Sequence, residues 1–422
     1  MVIFMKAEIL CVGTELLLGD IVNTNAPVIA QGLASVGINV FHQSVVGDND
    51  ARLKVALQEA LSQCDCVITT GGLGPTYDDL TKETAAELFG RKMVLDAPSL
   101  ERIEAFFARI NRPMTDNNRK QAMMPEGAVI LPNENGTAPG VLLEQDGKRL
   151  ILLPGPPREM RPMFRNQVLP ILAQLTGTTL VSRSVHIFGV GESAVEDQLR
   201  DQMLSLHNPT LAPYAKDGEV QLRVTASAEN QSAAYALIDP VVDRICAQFG
   251  DHVYGVDIGD LQTAVVRALN KKHLVLATAE SCTGGLISKR ITEVSGSSSV
   301  FHCGICSYAN EMKESLLGVR HETLAAYGAV SEQTAAEMAE GVRKLSGADI
   351  AVSTTGLAGP GGGSAQKPVG LVYVGVSSKK FRTVLRLMLG RGYGEEREYI
   401  RTVAASNALF LALQAIRNAD SK

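Results

Sequence analysis

The chain has 422 residues, 45% hydrophobic, 5% aromatic and 20% charged, with a formal net charge of −5 and a pI near 5.9. That length exceeds a single hydrophobic core and fits two to three domains of an ordinary soluble globular protein. The slight acidity excludes a broad polyanion-binding surface and so gives nucleic acid no electrostatic footprint.

The opening MVIFMK is too short for a signal peptide, Met5 is an alternative start, and no apolar run is expected to reach membrane-spanning length. Seven cysteines, an odd number set mostly in apolar strand-like runs, read as buried, reduced thiols of a cytoplasmic protein. Cys64 with Cys66, and Cys303 with Cys306, lack a second ligand pair at zinc spacing.

In chain order, AEILCVGTELLLGDIVNTN (7–25) reads as a buried strand followed by a turn, CDCVITTGGLGPTYDDLT (64–81) reads as another, and a helix with Leu53, Val55, Leu57 and Leu61 lies between them. This is βαβ organisation. The glycine-rich loop 71–74 sets backbone amides at a strand's carboxyl end, where open α/β sheets bind phosphates. Asp78 and Asp79 add two adjacent carboxylates, suited to a hard cation held through a diphosphate or to capping the next helix.

From about 178 to 255 no glycine-rich chemical motif occurs. SRSVHIFGV and GEVQLRVTASA alternate as strands, while ESAVEDQLRDQML and SAAYALIDPVVDRICAQFG read as helices, giving a small α+β spacer.

LVLATAE (274–280) is a buried parallel strand that delivers Ser281, solvent-facing, to a strand-to-helix turn; Gly284 and Gly285 then open an amphipathic helix through Leu286, Ile287, Arg290, Ile291 and Val294. VFHCGICSY (300–308) is another strand, with Asn310 as N-cap and Lys313 at N3 of the following helix. The helix dipole and burial both disfavour an ammonium there, which makes Lys313 a general base for a serine nucleophile; Tyr308 relays the proton or holds the serine rotamer. His302 alternates onto a strand face as a structural residue. VSTTGLAGPGGGSAQKPVG (352–370) runs from a strand into a glycine-rich cradle whose Thr355 and Gly356 suit a phosphate or an oxyanion. Arg397 and Arg401 lie one turn apart on a C-terminal helix, a pattern that fits a phosphate fork or a solvated face.

AESCTGG, the Tyr308/Lys313 pair, GAVSE (328–332), TTGLAGP and GxxxxKPVG together resemble the nicotinamide-nucleotide amidase domain at the C-terminus of the CinA (competence/damage-inducible) family. The resemblance implies deamidation of nicotinamide mononucleotide without metal or organic cofactor. It casts Ser281 as nucleophile, Lys313 as base and Tyr308 as assistant, with Thr283, Gly284, Gly285, Thr355, Gly356, Gly359, Arg397 and Arg401 as substrate contacts. GTELLLG, GDND, GGLGPTYDDLT and LPGPPREM (153–160) are similar to the molybdopterin-binding-like domain of the same family.

That second resemblance implies an ADP-ribose pyrophosphatase using a divalent metal (Mg, Mn or Co), with Asp48, Asp78 and Asp79 as ligands and Thr14, Glu15, Gly71, Gly72, Gly74 and Thr76 as substrate contacts. The middle segment is similar to the family's KH-like module but shows no GXXG loop between helices. The expected fold is therefore α/β: a molybdopterin-binding-like α/β sandwich over 1–172, a small α+β KH-like domain over 173–256 and an α/β amidase domain over 257–422. Small nucleotides as substrates and a homodimer are the implied partners. Two readings stand: a bifunctional hydrolase, or a nucleotide- or molybdopterin-binding protein without N-domain catalysis.

Overall fold

The computed structural model describes residues 5–176, 179–216, 218–392 and 396–420. The chain divides into two compact units, residues 1–182 with 225–238 and residues 183–224 with 239–422.

The first unit opens with β1 (Lys6–Val12), α1 (Thr14–Leu18), α2 (Asn25–Ser35), β2 (Asn39–Val46), α3 (Asp50–Gln63), β3 (Cys66–Thr70) and α4 (Thr81–Leu88). A two-stranded ladder of β4 (Met93–Leu95) and β5 (Met123–Pro125) brackets α5 (Ala97–Arg109) and α6 (Asp116–Arg119); β6 (Val129–Leu131), β7 (Gly140–Gln145), β8 (Lys148–Leu153), α7 (Pro157–Met163) and α8 (Leu169–Thr176) follow. Six strands form one sheet in the order β2-β1-β3-β8-β7-β6, the first four parallel and β7 and β6 antiparallel. Side chains of β1 alternate between two apolar clusters, Ile9 and Cys11 packing with Ile29 and Phe164, Leu10 and Val12 with Leu53 and Leu57. Both faces are thus covered, which is why β1 and β3 read as near-continuous apolar runs. Asn49 and Asp96 fix the starts of α3 and α5 by accepting from the amides of Arg52 and Ser99.

The middle segment holds β9 (Thr179–Phe188), α9 (Glu192–Ser205), β10 (Thr210–Lys216), β11 (Glu219–Ala228), α10 (Gln231–Phe249) and β12 (Val253–Val256), with its sheet in the order β10-β11-β9-β12. The expected strands and helices are present; β10 and β12 are additions, and the unit boundary crosses β9, β11 and α10.

Next come α11 (Leu261–Lys272), β13 (Leu276–Glu280), α12 (Leu286–Thr292), β14 (Phe301–Cys306), α13 (Asn310–Leu317), α14 (His321–Tyr327), α15 (Glu332–Ser346), β15 (Ile350–Gly356), β16 (Leu371–Ser378), β17 (Arg382–Met388) and α16 (Arg397–Arg417). The sheet order is β14-β13-β15-β16-β17, with β14, β13 and β15 parallel and the last two strands antiparallel. Asp260 and Ser331 cap α11 and α15. β13 is buried throughout, so Glu280 and Ser281 emerge at the carboxyl end of the central parallel strands.

Three expectations are corrected here. α16, with 21 residues, is long and apolar enough to cross a membrane by length and composition, but 72% of its most apolar stretch is buried inside the fold against β15, β16 and α11. Its alanines and flanking arginines hide that length from a reading that looks for large apolar side chains. Cys306 is exposed and Cys246 and Cys303 are half-buried, so only four of the seven free thiols are buried. α13 starts at Asn310 with Ala309 as N-cap, which moves Lys313 one place deeper than N3.

Candidate active sites

Ser281 is not solvent-facing: only 9% of its surface is exposed, and its amide donates to the Thr354 carbonyl at 3.0 Å. The Ser307 amide donates to the Glu280 carbonyl at 2.9 Å, so the segments leaving β13 and β14 run side by side. Lys313 reaches this end of the sheet from α13. Its side chain is 1% exposed, and Nζ donates to the carbonyls of Ser307 (2.8 Å) and Tyr308 (3.0 Å). Burial holds the amine below the ordinary lysine range, partly offset by the neighbouring Cys282, Cys306 and Glu311. Cys282, next to the serine, has its thiol pushed up to about 12 by burial, which leaves it protonated and weak as a competing nucleophile. Ser307 Oγ is buried with no hydrogen-bond partner.

Sequence reasoning missed Glu280, the residue that builds this turn. Its carboxylate is fully buried and accepts four bonds: from the Thr283 hydroxyl (2.7 Å), the amides of Ile287 (3.0 Å) and Ser288 (2.9 Å), and the Ser288 hydroxyl (2.7 Å). An acid ahead of a helix whose first amides need acceptors is the signal that could have found it. Thr283 is likewise buried, and its proton goes to Glu280, so Thr354 must donate across their 2.7 Å contact. Its hydroxyl is therefore spent inside the protein. Thr355 also donates inward, to the Ala329 carbonyl at 2.7 Å.

The surface of the site falls to other residues. Gly284 is exposed, Gly285 precedes α12, and Tyr308 is 64% exposed. Arg397 donates to the Gly359 carbonyl and lies 3.5 Å from the Tyr308 hydroxyl, while Arg401 donates to the Thr283 carbonyl at 2.8 Å. Arg397 thus lies on the Tyr308 side and Arg401 against the serine turn. Gly356 ends β15, packed closely against Leu371 and Val372. Lys367 donates to the carbonyls of Tyr327 and Val330, both at 2.7 Å, and so ties the glycine-rich loop down.

In the first unit a cavity of about 580 Å³ opens at the carboxyl ends of β1, β2, β3 and β8. Gly71, Gly72, Gly74 and Thr76 line it together with Glu15, Asp48, Asp78 and Asp79. Thr14 does not; its amide and hydroxyl are locked to Asp48. Thr76 donates through both amide and hydroxyl to Asp79, so Asp79 closes its own loop rather than capping α4, which Leu80 precedes. Among the described residues no three His, Cys, Asp or Glu side chains stand close enough to hold a metal, so Asp48, Asp78 and Asp79 do not converge as a ligand set. Asn25 and Glu159 also line the cavity, and sequence reasoning singled out neither.

Residues 259–416 match the CinA C-terminal domain, residues 8–174 the probable molybdopterin binding domain and residues 182–255 the damage-inducible protein CinA KH domain. The chain is similar to a CinA-like protein of Kosmotoga olearia, 49% identical over 412 residues that cover 98% of this chain and 99% of the other. Two solved structures are similar to part of it. One is the competence/damage inducible protein CihA from Agrobacterium tumefaciens (42% identity, 37% of this chain and 93% of that one, TM-score 0.36). The other is the protein CinA with unknown function from Thermoplasma acidophilum (34% identity, 40% and 98%, TM-score 0.37). Near-complete coverage at such identity, with all three domains matched in order, leaves one assignment: the chain belongs to the CinA, competence/damage-inducible, family.

Proposed function

We propose that the carboxy-terminal domain hydrolyses the carboxamide of nicotinamide mononucleotide to nicotinate mononucleotide and ammonia, with Ser281 as nucleophile and Lys313 as base. The observation that carries this reading is the hydrogen bonding of Lys313. A neutral amine has two N–H groups and one lone pair; the carbonyls of Ser307 and Tyr308 take both N–H groups, which leaves the lone pair for the serine proton. Ser281 Oγ then bonds to the amide carbon, and the C–N bond breaks as Lys313 returns the proton to the leaving nitrogen. Water, deprotonated by the same amine, hydrolyses the acyl-serine. Arg397 and Arg401 bind the 5′-phosphate. In this reading Tyr308 orients the ligand from the rim.

The test is ammonia release from nicotinamide mononucleotide by the purified chain. Ser281→Ala and Lys313→Ala should each cut kcat by at least about 1000-fold; undiminished release by both variants would remove the mechanism. Because burial lowers the Lys313 pKa, the proton is lost below the ordinary 10.5, and kcat should climb with pH along a limb whose midpoint lies under that value.

The amino-terminal cavity takes a nucleotide diphosphate, ADP-ribose, and hydrolyses it to AMP and ribose 5-phosphate, in a cytoplasmic homodimer. Among the described residues, five carboxylates and no Lys, Arg or His line this cavity. Its donor set fits only a divalent cation that arrives on the diphosphate and takes one or two carboxylates, not a preformed protein cage. The cation would supply charge neutralisation. The chain's own residues supply the backbone amides of 72–74, the Gly71 amide being spent on the Leu153 carbonyl, and water enters as the second substrate of the hydrolysis. AMP formation should require added Mg, Mn or Co and fall with Asp79→Ala. Because the carboxylates do not converge, binding without hydrolysis is the second reading, and ligand binding with no AMP at any metal concentration would select it.

A further inference from the structure

The amino-terminal cavity has two chemically different walls that adjoin, since a Cβ on Gly155 would stand 3.6 Å from Gly71 Cα. One is formed by the backbone of Gly71–Gly74; the other lies at the carboxyl end of β8, where α7 begins. At this second wall Glu159 is 7% exposed and touches one side-chain donor within hydrogen-bond distance, Asn133 Nδ2 at 2.7 Å, with Arg158 at 3.9 Å. An ionised carboxylate offers about four acceptor positions, so most of its capacity is unspent. The loop above is pressed onto it: a Cβ on Gly136 would stand 2.0 Å from Glu159 Oε2, so any other residue there would push the carboxylate away. Burial raises the Glu159 pKa, against the pull of Asn133 and Arg158, and a buried carboxyl of that kind is retained where a donor meets it.

Asn25 supplies an independent sign. It is 9% exposed, lines the same cavity, and its Oδ1 is buried with no hydrogen-bond partner. Its orientation is fixed by its neighbours. Thr70 Oγ1 gives its proton to the Pro154 carbonyl, so it can only accept from Asn25 Nδ2, which also donates to the Gly155 carbonyl. Asn25 Nδ2 donates both to Thr70 and to Gly155, so its amide sits where the glycine-rich loop and segment 155–159 adjoin, and it and Glu159 both line the cavity as acceptors without full complements. Acceptors of this sort repel phosphate and attract neutral donors, of which a nucleotide offers vicinal ribose hydroxyls.

We infer that Glu159 and Asn25 form a hydroxyl-recognition side of the amino-terminal cavity that binds the vicinal diol of a ribose, next to the glycine-rich loop. This rests on reading the cavity as a nucleotide site. Calorimetric titration of the full-length chain with AMP and ribose 5-phosphate, and with their 2′-deoxy and 2-deoxy counterparts, tests it.

Wild type should bind the ribose forms at least about ten-fold more tightly than the deoxy forms. Glu159→Gln, which keeps the shape but exchanges an acceptor for a donor, should erase that preference; binding at the carboxy-terminal domain would be common to both proteins and cancel. Equal binding of ribose and deoxy forms by wild type, or a preference kept in a folded Glu159→Gln protein, overturns the inference alone. No binding of any of them by wild type overturns the nucleotide reading as well. Glu159→Asp, which keeps the charge and shortens the reach, gives the same readout if the glutamine variant does not fold.

Discussion

The strand that leads to Ser281 and the helix that carries Lys313 were legible because each is announced locally, by an apolar run ending in a small polar turn and by a helix start just before a cation. Glu280 was not, because the four donors that justify a buried carboxylate come from residues three to eight positions later and converge only once the turn has folded. Glu280→Gln turns one acceptor into a donor among those groups. It should cost about 2 kcal/mol in urea unfolding and lower kcat of the proposed amide hydrolysis; an unchanged midpoint would show that Glu280 is dispensable.

Lys82 is a second buried charge that sequence did not reveal. It is 2% exposed, donates to the carbonyls of Lys120 and Gln121, and has its pKa lowered to about 8 by burial. Between pH 8 and 10.5 the native protein has lost this proton while the unfolded chain retains it, so native stability contributed by Lys82 grows as pH rises. The unfolding free-energy difference between wild type and Lys82→Gln should therefore increase across that window and be flat below it.

At the scale of elements, strong periodicity carried the reading furthest. β1, β3, β13 and α3 stand where the apolar pattern put them, although Val55 on α3 is exposed. The segment after β1 was expected to be a turn; α1 and α2 form instead, because Ala26, Ile29 and Leu33 find a sheet face that a local reading does not supply. How closely helices approach is equally invisible from pattern. Gly341 lies inside α15, where it reads as a weak spot, but a Cβ there would stand 1.8 Å from the Leu317 carbonyl at the end of α13. Gly341→Ala should push α13 outward. Since α13 carries Lys313, kcat of the proposed amide hydrolysis should fall together with about 1–3 kcal/mol of stability, whereas an exposed helical glycine changed to alanine would gain stability.

For the whole molecule, one apolar cluster joins Phe188 and Tyr254 of the middle segment to Leu261, Ile400 and Phe410 of the carboxy-terminal segment, with the rings of Phe188 and Phe410 4.8 Å apart. The two segments share a core within the second unit, a fact no motif announces because each looks self-contained in sequence. Phe188→Ala should cost about 3–5 kcal/mol. With two compact units, calorimetric melting should show more than one transition, and only the transition of the second unit, which also abolishes the proposed amide hydrolysis, should shift; movement of both would show that the units unfold together.

The acid-walled cavity of the first unit has a kinetic corollary. A phosphate-bearing molecule diffusing toward it meets a field of its own sign, so the encounter itself is opposed before any contact forms. Added electrolyte shortens the reach of that field. Rapid-mixing measurements should therefore find anionic ligands arriving faster as ionic strength rises, the reverse of what a lysine-lined nucleotide pocket would give.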